Sequence, residues 1–350
     1  MRTFGIQGIL YMKKISCFLL MLACCTALFA QKIGKSDKKQ LQALEDSAKI
    51  YGNEMLEKPE WEERFLANDK FTKTLVKALK VSNSFWYPFD SLQTISKLYA
   101  PDTTFRIFTW EVAKDLNEFV QRGAIQMRTT DGSLKLFPLF DASAFSYNPT
   151  DSVRNKSQWI GALYYKIVLN EYKGIKYYTL LGFDNNEART NKKWMEVMWF
   201  DKNAEPVFGG TFFQYKNDNI KPKQPAYRFC IEYKKDAKVR FNYDDEMQCI
   251  VFDHLISEGG DENNKASLIP DGSYETFTWK NGKWVHNPHL AYQKVNMQGF
   301  DPLLGNAPAE MSLLDENGNI DQKKLNEQNK KNLKLSKQKN TKNKYSKIQL

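Results

Sequence analysis

Residues 159–215 constrain the fold of this chain more than any other stretch. Trp159, Leu163, Tyr165, Ile167 and Leu169 stand at odd positions, and most of their neighbours are smaller or polar. A polar turn follows at Asn170–Gly174, and Ile175, Tyr177, Leu181 and Phe183 resume the pattern. After a polar break at Asp184–Lys193, the apolar runs Trp194–Phe200 and Val207–Tyr215 flank a turn at Asp201–Glu205. Period-two alternation rich in aromatic and β-branched residues, cut by Asn, Asp and Gly, predicts four antiparallel strands. Such strands carry too much apolar surface to stand alone, so they form the core sheet.

The same signals recur on both sides. Ile95–Tyr99 with Phe105–Val112, and Phe119–Thr129 with Leu134–Phe140, read as hairpins, the second turned at Asp131-Gly132. Arg228–Lys234, Lys238–Tyr243 and Met247–Phe252 read as a three-stranded meander. Tyr274–Trp279 and Lys283–His286 form a last hairpin around Asn281-Gly282. Before them, Leu41, Leu44, Ala48, Tyr51 and Met55 recur at helical steps in Lys38–Leu56. A short helix at Glu60–Leu66 follows Pro59, and Asn68-Asp69 is expected to break it and open a third. The fold class is therefore mainly β, an antiparallel meander of hairpins folded into a sandwich or open barrel. The hairpins have no fixed period, which disfavours the propeller-like alternative.

The organisation follows. Residues 1–30 read as a signal peptide and 31–90 as a helical N-terminal segment packed on the sheet. Residues 91–290 form the antiparallel β domain, and 291–350 an extended, Lys/Asn-rich disordered tail. Lys13-Lys14, the apolar run Ile15–Phe29 and the small residue Ala30 fit export with cleavage before Gln31. That run is shorter than the ~20 residues of a membrane span, so no transmembrane span is expected in the mature chain. Met12 is a better start than Met1. The expected location is periplasmic or extracellular. Lipidation at Cys24 is the alternative, because Met21-Leu22-Ala23-Cys24 loosely resembles a lipoprotein-processing motif.

The formal charge of +10 is concentrated at the ends, with +3 in residues 1–30 and +8 in 321–350, leaving −1 for 31–320. A nearly neutral body argues against nucleic-acid binding, which needs a basic face on the fold itself. The tail could contact an anionic surface or be merely solvated. Export leaves Cys230 and Cys249. The meander places them on its outer strands, about 9–10 Å apart at two strand spacings, beyond disulfide reach. Two unpaired, largely buried thiols are expected.

Chemistry is sparse. No Gly-x-Ser-x-Gly elbow, phosphate loop, Cys-x-x-Cys pair or dinucleotide fingerprint occurs. No catalytic set, cofactor or metal site is expected. His286 and His289 flank Pro288 without a third ligand nearby. Phe85, Trp86, Tyr87 and Phe89 could form a stacking platform, but plugging the sheet is the commoner use of such residues. Candidate binding residues are Asp184, Asn185, Asn186, Glu187 and Arg189, with Lys193 beside them, on a loop held by the central strands. Asp253 and His254 join them at a strand end. As strand neighbours they should point to opposite faces, unable to orient each other.

Several segments resemble an uncharacterised family of exported bacterial proteins. They are Trp86-Tyr87-Pro88-Phe89-Asp90, Ile95–Trp110 with its Ala-Pro-Asp turn, and Tyr177–Asn186. Val251-Phe252-Asp253-His254-Leu255 and Pro270-Asp271-Gly272-Ser273-Tyr274 complete the set. The resemblance spans roughly Phe85–Trp284 and departs from the family pattern at Phe183 and Asn185. It implies one exported module and carries no activity. The expected function is a non-catalytic binding or scaffolding module of the cell envelope, with a glycan or protein partner. The alternative is a polysaccharide hydrolase using paired carboxylates such as Asp184, Glu187 or Asp253.

Overall fold

A computed structural model describes residues 33–288. The expected signal peptide and lipidation site, His289 and the Lys-rich tail lie outside the described residues. Among the described residues, two α-helices precede fifteen strands. Helix α1 (Lys35–Glu57) buries Leu41, Ala48 and Met55 at seven-residue steps, one stripe of its surface. Helix α2 (Trp61–Leu79) runs through the break expected at Asn68-Asp69. Asn68 is buried there and accepts a hydrogen bond from Trp110 Nε1 at 2.8 Å. A tertiary partner thus occupies the amide that would otherwise compete for the backbone.

The strands build three sheets. The first holds β1 (Ser96–Tyr99), β2 (Phe105–Ala113), β3 (Phe119–Met127) and β4 (Lys135–Phe140), antiparallel in chain order. The second holds β5 (Arg154–Asn155), β6 (Leu163–Tyr172), β7 (Ile175–Asp184), β8 (Thr190–Phe200) and β9 (Pro206–Phe208), in the order β5-β9-β8-β7-β6. The third contains β10 (Phe213–Gln214), β12 (Phe241–Asp244), β13 (Cys249–Ser257), β14 (Leu268–Lys280) and β15 (Lys283–Asn287). Its order is β10-β15-β14-β13-β12, with only β10–β15 parallel. Strand β11 (Phe229–Lys234) joins the second sheet along β8.

Side-chain alternation assigns the layers. On β2, Phe108, Trp110 and Val112 pack under the helices, whereas Phe105 and Ile107 pack against the second sheet. On β7, Leu180 faces the first sheet and Leu181 the third. The middle sheet is therefore covered on both faces, and the order is helices, first, second, third sheet. The mainly antiparallel β expectation holds in sandwich form, with no closed barrel. Among the described residues, no helix is long and apolar enough to cross a membrane.

Two strand expectations need correction. Cys230 and Cys249 do not share a meander, because β11 pairs with β8 while β12 and β13 pair in another sheet. Both thiols are nonetheless unpaired. Val207–Tyr215 is not one strand either. Gly209 and Gly210 adopt φ of +86° and +156°, and the chain crosses there from the second sheet to the third. Aromatic density in residues 207–215 reflects burial in two cores, which period-two counting cannot separate.

Two buried cations fasten the layers. Arg228, fully buried, pairs with Glu196, which also accepts from Tyr164 Oη at 2.7 Å. Its Nη1 donates to the carbonyls of Pro149 and Ser152 at 2.6 and 2.9 Å. Arg106 donates to Ser84 O, Tyr87 O and Gln126 Oε1, and lies over the Phe108 and Phe89 rings at 4.7 and 5.1 Å. The aromatic loop is thereby plugged into the fold: Phe85, Tyr87 and Phe89 are buried, and Trp86 is 39% exposed.

Candidate functional site

The interior face of the third sheet becomes polar at one end. Phe252, Phe277 and Trp284 face the second sheet in the apolar part. Moving two residues along each strand leads to His254, Glu275 and His286, which period two places on the same face. The Asn281-Gly282 turn sets Phe277 opposite His286, and Glu275 pairs opposite Phe252. The two imidazoles therefore approach one carboxylate from the neighbouring strands.

A bulge shapes this end. Asp253 pairs with Tyr274 and Leu255 with Pro270, so His254 alone faces Asp271, Gly272 and Ser273. Gly272 takes φ +91°, which glycine accepts without strain. The bulge turns Asp271 and Ser273 towards His254. A loop after β10 closes the opposite side with Tyr215, Asp218 and Lys221. Tyr215 anchors it by packing on Phe229 and Phe277 and by donating to Pro222 O at 2.7 Å. A cleft of about 580 Å³ lies between loop and sheet.

Glu275, 3% exposed, is the centre of the cleft's polar network. His254 Nδ1 lies 2.7 Å from its Oε1, and His286 Nε2 contacts its Oε2. Lys221 Nζ reaches the carboxylate at 3.0 Å and Asp218 at 2.7 Å. Burial would raise the Glu275 pKa. The His286 hydrogen bond, Lys221 charge and His254 outweigh it and hold the carboxyl down at about 2. An ionised carboxylate only accepts, so His254 donates from Nδ1 and His286 from Nε2. His254 Nε2 lies on the Asp271 side at 4.0 Å. Asp218 is lowered despite burial by Lys221 and the backbone N–H groups of Lys221 and Ile220. Asp271 is lowered by Ser273, which donates from N at 2.8 Å and Oγ at 2.7 Å. The cleft is a hydrogen-bonded polar surface beside the Tyr215 ring.

His254 alone among the sequence-selected candidates lines this cleft. Asp253 lines a second cleft and accepts a hydrogen bond from the Arg240 backbone N–H. The two neighbours thus serve different clefts, as strand alternation requires. Burial raises the Asp253 pKa against that hydrogen bond.

The Asp184–Arg189 loop forms a third polar region. Asp184 accepts from the Asn186 backbone at 2.8 Å and from Trp194 Nε1 at 3.3 Å. Asn186 donates to Thr190 Oγ1 and Glu232 Oε1, and Asn185 Nδ2 binds Glu111. Burial raises the pKa of both Glu111 and Asp184. Glu187 and Arg189 are exposed on the turn. Among the described residues, no group of three or more His, Cys, Asp or Glu is arranged to hold a metal.

Sequence reasoning passed over Glu275, Lys221, Asp218 and Asp271. A signal for Glu275 existed: it shares a face with Phe277, an inward position where a carboxylate requires partners. The Asn281-Gly282 turn sets the pairing that brings His286 to it. Lys221 had no such signal, since loop closure over a sheet leaves no periodic trace. No family model, curated protein or solved structure matches the chain.

Proposed function

We propose that this protein is an exported, non-catalytic binding module of the cell envelope, and that the Glu275 cleft holds a glycan. The carrying observation is that fixed donors engage all three carboxylates of the cleft. Glu275 is held by Lys221, His254 and His286, Asp218 by Lys221, and Asp271 by Ser273. Acid catalysis of glycoside hydrolysis needs a carboxyl kept protonated near neutral pH. Here all three are shifted the other way. What remains is planar polar groups beside Tyr215, a combination suited to hydroxyl-rich ligands. Export rests on the basic and apolar leader ending at Ala30 and on the resemblance to exported proteins.

The experiment is co-sedimentation of the purified protein with insoluble peptidoglycan and other envelope polysaccharides, with reducing-end release measured in parallel. Retention without release, weakened by His254→Ala, is expected. Release of sugar, or no retention on any polymer, overturns the reading. N-terminal sequencing of the fractionated protein should find Gln31 in the envelope or medium. A cytoplasmic, unprocessed chain overturns the export part.

One observation favours a second reading, hydrolysis. Glu111 and Asp184 are adjacent, half-buried and both raised in pKa, as an acid–base pair would be. Sugar release abolished by Asp184→Asn would establish that reading instead.

A further inference from the structure

The second cleft, of about 680 Å³, opens between the second and third sheets. Phe183, Asn191, Lys193 and Tyr233 come from β7, β8 and β11, and Asp253 and Tyr274 from β13 and β14. The loop between β11 and β12 adds Lys238 and Arg240.

Its cations lack the partners that the lysines around it have. The surrounding lysines have partners: Lys192 has Asn186 and Glu232, Lys234 has Glu258, Lys235 has the Asn185 carbonyl, and Lys166 has Asp245. Lys193 makes no hydrogen bond or ion pair among the described residues. Its half-buried ammonium sits 4.8 Å from the Tyr165 ring centre and 5.1 Å from that of Phe183. Arg240 is exposed; its guanidinium makes no hydrogen bond or ion pair among the described residues and lies 5.5 Å from the Tyr274 ring centre. Lys238 is exposed and also unpaired. The one carboxylate of the cleft, Asp253, is occupied by the Arg240 backbone N–H. Three cations thus face one carboxylate already engaged.

Two polar side chains add an independent observation. Tyr233 is 2% exposed, lines the cleft, and its hydroxyl has no hydrogen-bond partner among the described residues. Asn191 is 9% exposed, donates from Nδ2 to Lys235 O at 3.0 Å, and leaves Oδ1 without a partner. Buried polar atoms are normally satisfied, so the orphaned Asn191 Oδ1 in this cleft points to a ligand, and the unpaired Tyr233 hydroxyl is open to the same space.

We propose that this second cleft binds a saccharide carrying a carboxylate, with the anion between Lys193 and Arg240. A carboxylate suits the guanidinium fork and completes the ammonium. Sugar hydroxyls supply both the acceptor that Tyr233 lacks and the donor that Asn191 lacks. The inference does not depend on the Glu275 cleft, and its test separates the two.

The test is isothermal titration of the purified protein with oligogalacturonate, with a neutral oligosaccharide of equal length and inorganic phosphate as comparisons. Oligogalacturonate binding is expected, weakening as salt rises. Lys193→Met should weaken it by about tenfold or more, since a charged hydrogen bond is lost, and Arg240→Gln should weaken it similarly. Lys193→Met keeps an unbranched chain over the same two rings, and thermal melting checks that it folds. Lys73→Met, at an exposed lysine of α2 that lines neither cleft, should leave this binding unchanged. No binding of oligogalacturonate, equal binding of the neutral oligomer or of phosphate, or unchanged affinity in folded Lys193→Met overturns the proposal.

Discussion

Replacing Glu275 by Gln removes one charge from the centre of the first cleft without changing its shape. In the folded protein the carboxyl is held at about 2, against an ordinary 4.5. That gap corresponds to on the order of 3 kcal/mol at neutral pH. His254 is partly open to solvent, which screens its share, so about 2–3 kcal/mol is expected. The amide also places an NH₂ where His286, Lys221 or His254 already donates, leaving one donor unmatched. Because the folded pKa is depressed, the stabilisation is present above about pH 4.5 and is lost as pH falls towards 2. Urea denaturation of both proteins across pH 2–7 is the assay. Wild type should exceed Glu275→Gln by about 2–3 kcal/mol at pH 7, with the difference shrinking steadily below pH 4.5. Asp102, also held at about 2, titrates in both proteins and cancels in the difference. A gap under about 0.5 kcal/mol at pH 7, or one independent of pH, refutes the reasoning.

Three further outcomes follow from the packing. Arg228→Met should destabilise the fold by about 3–5 kcal/mol by stranding the buried Glu196 carboxylate, and Arg228→Met with Glu196→Leu should recover much of the loss; denaturation midpoints that match wild type for the single variant contradict this. Gly209→Ala should cost about 1–3 kcal/mol, because φ is +86° and a Cβ would lie 2.9 Å from Tyr227 O; a melting temperature unchanged by the substitution argues against a glycine-dependent crossing. In the chain beginning at Gln31, a thiol-reactive dye should label Cys230 and Cys249 slowly until denaturant is added, since burial raises both thiols and pushes Cys230 up to about 12. Rapid native labelling, or a non-reduced mass showing a disulfide, would contradict that picture.

Much of the fold was legible in the sequence. The first hairpins, the last hairpin and the mainly antiparallel β class follow from alternation and turn chemistry, both local properties. Helix α2 ran past its expected break because Trp110, distant in sequence, satisfies Asn68. The expected meander split because β11 pairs with β8, about forty residues earlier in the chain, and leaves β12 to pair with β13 in the third sheet. His254 was visible as a titratable residue expected at a strand end, although β13 runs on to Ser257 and places it at a bulge inside the strand, whereas Glu275 looked like an ordinary polar position of an alternating strand.

Which segments extend, where they turn and which face of each is apolar are written in local stretches of chain, because backbone sterics and side-chain period act over a few residues. Which faces meet, which strands share a sheet, and the convergence of one carboxylate, two imidazoles and a loop lysine emerge on folding alone. Those choices rest on burial and charge pairing between residues tens of positions apart, and no short stretch of chain encodes them.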